Sequence, residues 1–154
     1  MRLPARRCAL PLALLLASIA APAQTLNNTA ALSFGAFTAG GGGAISVGTG
    51  GARMKTGSVI LVNQGGAASA AQFTITGTPN AMFDISLPVD GTVFLSDGAS
   101  GSMALNGFTS SPSGTGVLSG GGTQQINVGA TLSVGSSQAT GSYTGSFNVT
   151  VNYQ

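Results

Sequence analysis

Residues 141–154 follow a strict two-residue alternation. Tyr143, Phe147, Val149, Val151 and Tyr153 share one parity, with Gly141 and Gly145 as its gaps, and Ser142, Thr144, Ser146, Asn148, Thr150, Asn152 and Gln154 fill the other. Successive side chains of an extended strand point to opposite faces, so this spacing sets an apolar stripe against a core and a polar stripe against water. The segment is expected to be a strand. With no later strand to cover its outer edge, it either closes a sandwich or offers free main-chain donors and acceptors to another chain. Assembly by strand addition uses such edges: main-chain hydrogen bonds give affinity, and alternate side chains in pockets give register.

The preceding chain reads the same way, as short runs of strand chemistry bounded by Gly, Pro, Asn or Asp. Leu32-Ser33-Phe34 and Ile45-Ser46-Val47 open the series, and Ser58–Val62 is apolar after its serine, as expected of a strand covered on both faces. Ala71–Ile75 and Phe83–Leu87 alternate on either side of Gly77-Thr78-Pro79-Asn80 and predict a hairpin. Asp90-Gly91 and Asp97-Gly98 mark turns flanking Thr92–Leu95, because glycine accepts the positive φ such turns require. Ser102–Phe108, Gly116-Val117-Leu118 and the long alternating run Gln124–Val134 complete the pattern. Apart from the first residues, no window repeats apolar residues at helical spacing. Short strands about 8–12 residues apart predict an all-β sandwich with Greek-key connections.

Arg2, Arg6 and Arg7 lead into the apolar run Ala9–Ala20 and the small-x-small site Ala21-Pro22-Ala23, the pattern of a secretory signal peptide over residues 1–23. Residues 24–154 are then expected to form one exported domain, found in the periplasm, at the cell surface or in an extracellular fibre. The apolar run is shorter than the ~20 residues that cross a bilayer, so no membrane span is expected. Removal of the signal leaves Arg53 and Lys55 against Asp84, Asp90 and Asp97, a net charge of −1. Two basic side chains do not make the phosphate-neutralising footprint of a nucleic-acid protein. The single cysteine, Cys8, leaves with the signal, so packing and strand pairing carry the stability without a disulfide.

The catalytic inventory is sparse. The chain has no histidine and no glutamate, and no cysteine beyond Cys8, so the usual general bases, thiol nucleophiles and zinc ligand sets are missing. Asp90 and Asp97 are explained by Asp-Gly turns, and the glycine runs at 40–43 and 48–51 lack the lysine-serine ending and following helix of a phosphate loop. The expectation is a non-enzymatic protein without cofactor or metal. Charged residues make up 5% of the chain, against ~25% in ordinary globular proteins, which suits dense packing in a polymer or coat better than free diffusion.

Leu32-Ser33-Phe34-Gly35, Ala71–Gly77, Ile85-Ser86-Leu87-Pro88 and the closing Gly141-x-Tyr143-x-Gly145-x-Phe147-x-Val149-Thr150-Val151-Asn152-Tyr153 resemble the secreted bacterial domain-of-unknown-function family 4402. That family in turn is similar to spore coat protein U and to the pilin subunits of chaperone-usher fimbriae. The resemblance implies an immunoglobulin-like Greek-key sandwich that lacks one strand. It also implies that a periplasmic chaperone lends that strand and that the N-terminal arm of a like subunit later replaces it. Such pilins carry a penultimate tyrosine and a glycine fourteen positions from the end, which here are Tyr153 and Gly141. The candidate strand-addition edge is therefore Gly141, Tyr143, Phe147, Val149, Val151 and Tyr153. The candidate donor strand is Leu26, Ala30 and Leu32, on an arm whose residues 24–31 reach at most ~26 Å.

Two readings of function stay open. One is a fimbrial, pilus or surface-coat subunit assembled by strand addition; the other is a self-contained extracellular adhesin or glycan-binding module. The second has no aromatic platform in its favour, since tryptophan is absent and Tyr143 and Tyr153 are the only tyrosines.

Overall fold

Alternation without helical periodicity produces strands throughout. The computed structural model describes residues 24–154, and the expected signal peptide at 1–23 lies outside the described residues. No helix occurs among the described residues, and hence none long and apolar enough to cross a membrane. The chain is an all-β sandwich.

The longest alternating run supplies the axis of the larger sheet. Strand β11 (Thr123–Val134) pairs its first half with β6 (Ala71–Thr76), beyond which lies β1 (Thr25–Ala30). Its second half pairs with β3 (Gly43–Val47), beyond which lies β4 (Arg53–Gly57). Along the opposite edge of β11 runs β9 (Ser102–Ser111), itself paired with β8 (Val93–Ser96). Gly129 sits where β11 passes from β6 to β3, and a Cβ there would run into the carbonyl of Val47. The smaller sheet has the order β10 (Thr115–Val117), β7 (Met82–Ser86), β12 (Thr150–Tyr153), and a two-stranded ribbon joins β2 (Phe37–Thr38) to β5 (Ile60–Leu61).

Inward residues of the two layers form two clusters. One gathers Ile45, Val47, Met103, Leu105 and Leu132 around Phe34 and Val59; the other gathers Phe73, Ile75, Ile126 and Val128 against Phe83, Ile85 and Leu118. Leu32, Phe108 and Phe147 pack against both. Burial of such side chains stabilises by ~1.5–3 kcal/mol each before chain entropy is subtracted, which makes these clusters the main source of stability.

Several sequence expectations need correction. Ala71–Ile75 and Phe83–Leu87 do not form a hairpin, because β6 lies in the larger sheet and β7 in the smaller. The turn between them holds Asn80 at φ 60° and crosses from one layer to the other. Alternation shows which face is buried but not which strand lies alongside. The run Ser58–Val62 is not covered on both faces: Val59 is buried, Ile60 is 57% exposed, and only Ile60–Leu61 pair, on one side, with β2. Leu32–Phe34 forms a single bridge, Ser33 to Ser69, instead of a strand. Residues 141–149 contribute one bridge, Ser96 to Thr144, before regular pairing begins at Thr150. Strand β4 has no counterpart among the expected strands, since RMKTG presents no buried stripe, whereas β1 holds Leu26 and Ala30 of the expected donor arm, here paired with β6 of the same chain.

Candidate functional site

The C-terminal segment runs along the combined edge of β8 and β7. Thr144 exchanges two main-chain hydrogen bonds with Ser96 (2.8 and 2.9 Å), and further on Val151 lies opposite Ile85 and Tyr153 opposite Phe83. Gly145 permits the close approach to β8, since a Cβ there would lie 2.5 Å from the carbonyl oxygen of Phe94. One edge of the segment is thus held at its two ends, and residues 145–149 make no main-chain hydrogen bond among the described residues.

Across from this segment lies another incompletely paired one, Leu32–Thr38. Its outer edge is tied to the 60–69 region: Ser33 and Ser69 exchange hydrogen bonds of 2.8 and 2.9 Å, and the Val62 amide donates to the carbonyl of Ala36 (2.9 Å). Between the two segments runs a groove of about 900 Å³, walled by residues 31–39 on one side and 138–147 on the other. Its floor is apolar and comes from the larger sheet, β8 included: Ala71, Phe73, Leu95, Met103, Leu105 and Leu132. None of its lining residues among the described residues is charged. The 141–147 wall extends ~20 Å at ~3.3 Å per residue, the length of a strand of about six residues.

The structure divides the expected edge residues into two groups. Gly141, Tyr143 and Phe147 line the groove. Val149, Val151 and Tyr153 lie past its end and pack against the cluster of Phe73, Phe83 and Ile126. All five apolar residues of this parity are half-buried and none is fully buried, while the intervening Thr144, Ser146, Asn148, Thr150 and Asn152 are exposed. The alternation is real, but its apolar face is only partly covered.

Phe147 sets its ring edge-on to Phe73 (centroids 6.4 Å, 74°) and tilted against Phe108 (5.2 Å, 50°). Tyr143 is fixed by its hydroxyl, which donates to the carbonyl of Ala139 (2.8 Å) and accepts from the amide nitrogen Nε2 of Gln138 (2.7 Å). The hydroxyl of Tyr153 is buried without a hydrogen-bond partner, and burial pushes its pKa above the ordinary tyrosine value.

The candidate donor residues are also divided. Leu26 and Ala30 lie in β1, paired in this structure with β6 of the same chain through Leu26–Ile75 and Ala30–Gln72, so the arm is engaged. Leu32 lines the groove. Sequence reasoning missed the second wall and the residue that ties it down, Arg53. The signal within reach was Leu32-Ser33-Phe34-Gly35, but nothing in its spacing points to an arginine eighteen positions beyond Gly35.

The aspartates serve turns and connections. Asp97 Oδ1 accepts the amides of Ala99 (2.8 Å) and Gly101 (2.9 Å), and Asp90 Oδ1 accepts that of Gly107 (2.7 Å). No group of three His, Cys, Asp or Glu side chains that could hold a metal ion occurs among the described residues. The groove therefore offers shape, apolar surface and main-chain edges.

The edge of the larger sheet at β4 is built differently. Arg53 and Lys55, the two basic residues of the described chain, both lie on β4, opposite the buried Val47 and Ile45. Residues directly opposite in an antiparallel pair share a face, so both charges stand on the inward face of an edge strand, a placement that discourages pairing with another chain. The groove's walls carry no such guard.

No curated protein and no solved structure matches this chain. A family model does, over residues 25–153, and on that match the chain belongs to DUF4402, a family described as a domain of unknown function.

Proposed function

We propose that the groove receives an extended, alternating apolar strand from another chain, and that the protein is a non-enzymatic subunit of an extracellular fibre or surface coat assembled in this way. One observation carries the reading: two incompletely paired segments face each other across an uncharged apolar floor, with the whole apolar parity of the C-terminal segment left half-buried. A strand laid between them would pair with both main-chain edges, and its inward side chains would cover Phe73, Leu105 and Leu132. The guarded β4 edge supports the same reading, because one edge is closed to pairing and another left open. A periplasmic chaperone and a like subunit are the proposed donors, acting in turn on an exported chain.

The test is an unheated denaturing gel, with mass spectrometry of co-purifying proteins, on the chain exported together with its neighbouring genes. A ladder that collapses on heating, or a chaperone bound through a strand, is the expected result. A clean folded monomer without partners would sink the proposal and move attention to the loops, as for a self-contained adhesin.

A further inference from the structure

The Leu32–Thr38 wall is held by an arginine that, among the described residues, bonds main-chain carbonyls and no carboxylate. Arg53 enters from the edge strand β4 on the inward face, opposite Val47. Its Nη1 donates to the carbonyls of Phe34 (2.9 Å) and Ala36 (3.1 Å), and its Nη2 donates to that of Val62 (3.3 Å). Three carbonyls from two segments thus converge on one half-buried guanidinium. These are the segments that the Val62–Ala36 hydrogen bond already joins.

Gly35 sits between the two capped carbonyls of the wall and makes this approach possible. Its φ is +67°, and a Cβ there would lie 2.6 Å from Arg53 Nη1 and 3.0 Å from the carbonyl oxygen of Gly66. Glycine is thus required both by the backbone and by the guanidinium beside it. A lysine offers one nitrogen on a flexible stem and does not reach three carbonyls with a planar fork.

We propose that Arg53 is a positioning residue for the groove: it clasps the Leu32–Thr38 wall to the edge of the larger sheet and so fixes the gap into which the added strand fits. The inference rests on the strand-addition reading for its purpose, but the clasp itself is measurable without any ligand. The carbonyls of Phe34 and Ala36 are taken up by Arg53, and that of Ala36 also by the Val62 amide. Releasing them lets the wall roll or close onto Phe73 and Leu105.

The test uses Arg53→Met, Arg53→Lys and Gly35→Ala in the chain without residues 1–23. Amide hydrogen exchange is read at Ser33, Val62 and Ser69, whose bonds hold the wall, and at β11. Binding is read by the anisotropy of a labelled peptide copying residues 24–35. In Arg53→Met, exchange at the three wall amides should rise at least tenfold, with β11 changing by no more than about twofold. Peptide affinity should fall about tenfold. Arg53→Lys should not restore either property, which separates the fork from the charge. Gly35→Ala should loosen the same amides, and in the double variant with Arg53→Met the two effects should be less than additive, because the guanidinium, the nearest of the groups the new Cβ would meet, is gone.

Unchanged wall exchange in Arg53→Met, or an equal rise at the wall and in β11, would overturn the clasp. If Arg53→Met does not fold, Arg53→Lys and Gly35→Ala carry the same exchange comparison. A wild-type chain that fails to bind the peptide would count against strand addition, and the exchange result would still decide the clasp.

Discussion

Strand β11 and the C-terminal segment carry nearly the same sequence pattern and have opposite fates. In β11 the apolar parity Ile126, Val128, Ala130, Leu132 and Val134 is wholly buried, and the strand is flanked on both edges, by β6 and β3 on one side and β9 on the other. In residues 143–153 the apolar side chains of the corresponding parity are half-buried, and one edge is paired only at Thr144 and from Thr150 onward. Alternation records which side chains face inward. Whether the covering layer is present is decided by neighbours, and beside Phe147 that layer is missing.

The sharpest way to break this contrast is to place a carboxylate on each stripe. Ile126→Asp buries an unpaired charge in a position with no exposure, at a cost of several kcal/mol that approaches the whole stability of a domain; circular dichroism should find no folded protein. Tyr143→Asp sits in the half-covered groove wall, where water reaches the charge, so the variant should fold and lose capture of a strand or chaperone. A folded Ile126→Asp protein, or Tyr143→Asp with intact assembly, would remove the distinction.

Truncations should grade the same difference. Leu132→Ala, at 1% exposure, is expected to cost ~2–5 kcal/mol in urea unfolding. Phe147→Ala should cost about 1–2 kcal/mol, since only part of the ring is covered, and should weaken peptide binding in the same preparation. Equal losses would mean that Phe147 is as enclosed as β11.

The guarded edge offers a milder comparison with the open one. Lys55→Val should leave stability within about 0.5 kcal/mol and raise self-association through β4, read by sedimentation velocity. A monomer indifferent to this change would show that the charge guards nothing.

The smallest effect concerns Tyr153. Its folded pKa is raised, so the neutral phenol is favoured in the folded state and the contribution to stability is fully present below the ordinary value near 10. That contribution is lost as the pH rises through the folded pKa. Tyr153→Phe should remove this alkaline loss, and near neutrality it should change stability by less than about 1 kcal/mol, because the hydroxyl has no partner to lose. Unfolding curves of both proteins from pH 8 to 11 check both statements.

Legibility followed the same division between face and neighbour. Gln124–Val134 was readable almost to its ends, and Tyr143, Phe147, Val149, Val151 and Tyr153 were assigned to the correct face, because period-two patterning is a local property. The pairing of β6 with β11 and of β7 with β12 was not readable, since the turn at 77–80 suits a hairpin and a layer crossing equally. Strand β4 was invisible because its inward positions hold Arg53 and Lys55, which patterning assigns to water. The groove was half visible: one wall is written as an alternating stripe, and the other depends on a guanidinium that finds its carbonyls only after the sheet edge has folded.

The divided interior bears on how cooperatively the molecule melts. Strand β11 threads both clusters, and among the described side chains packed at their margins only Leu32, Phe108 and Phe147 touch the two at once. Leu32 and Phe147 belong to the groove's walls, so two of the three rivets in this seam sit where the interior is least enclosed. A strand seated between them would clamp the seam and merge two loosely coupled halves into a single melting unit. The width of the thermal transition, more than its midpoint, would then report whether the groove is occupied.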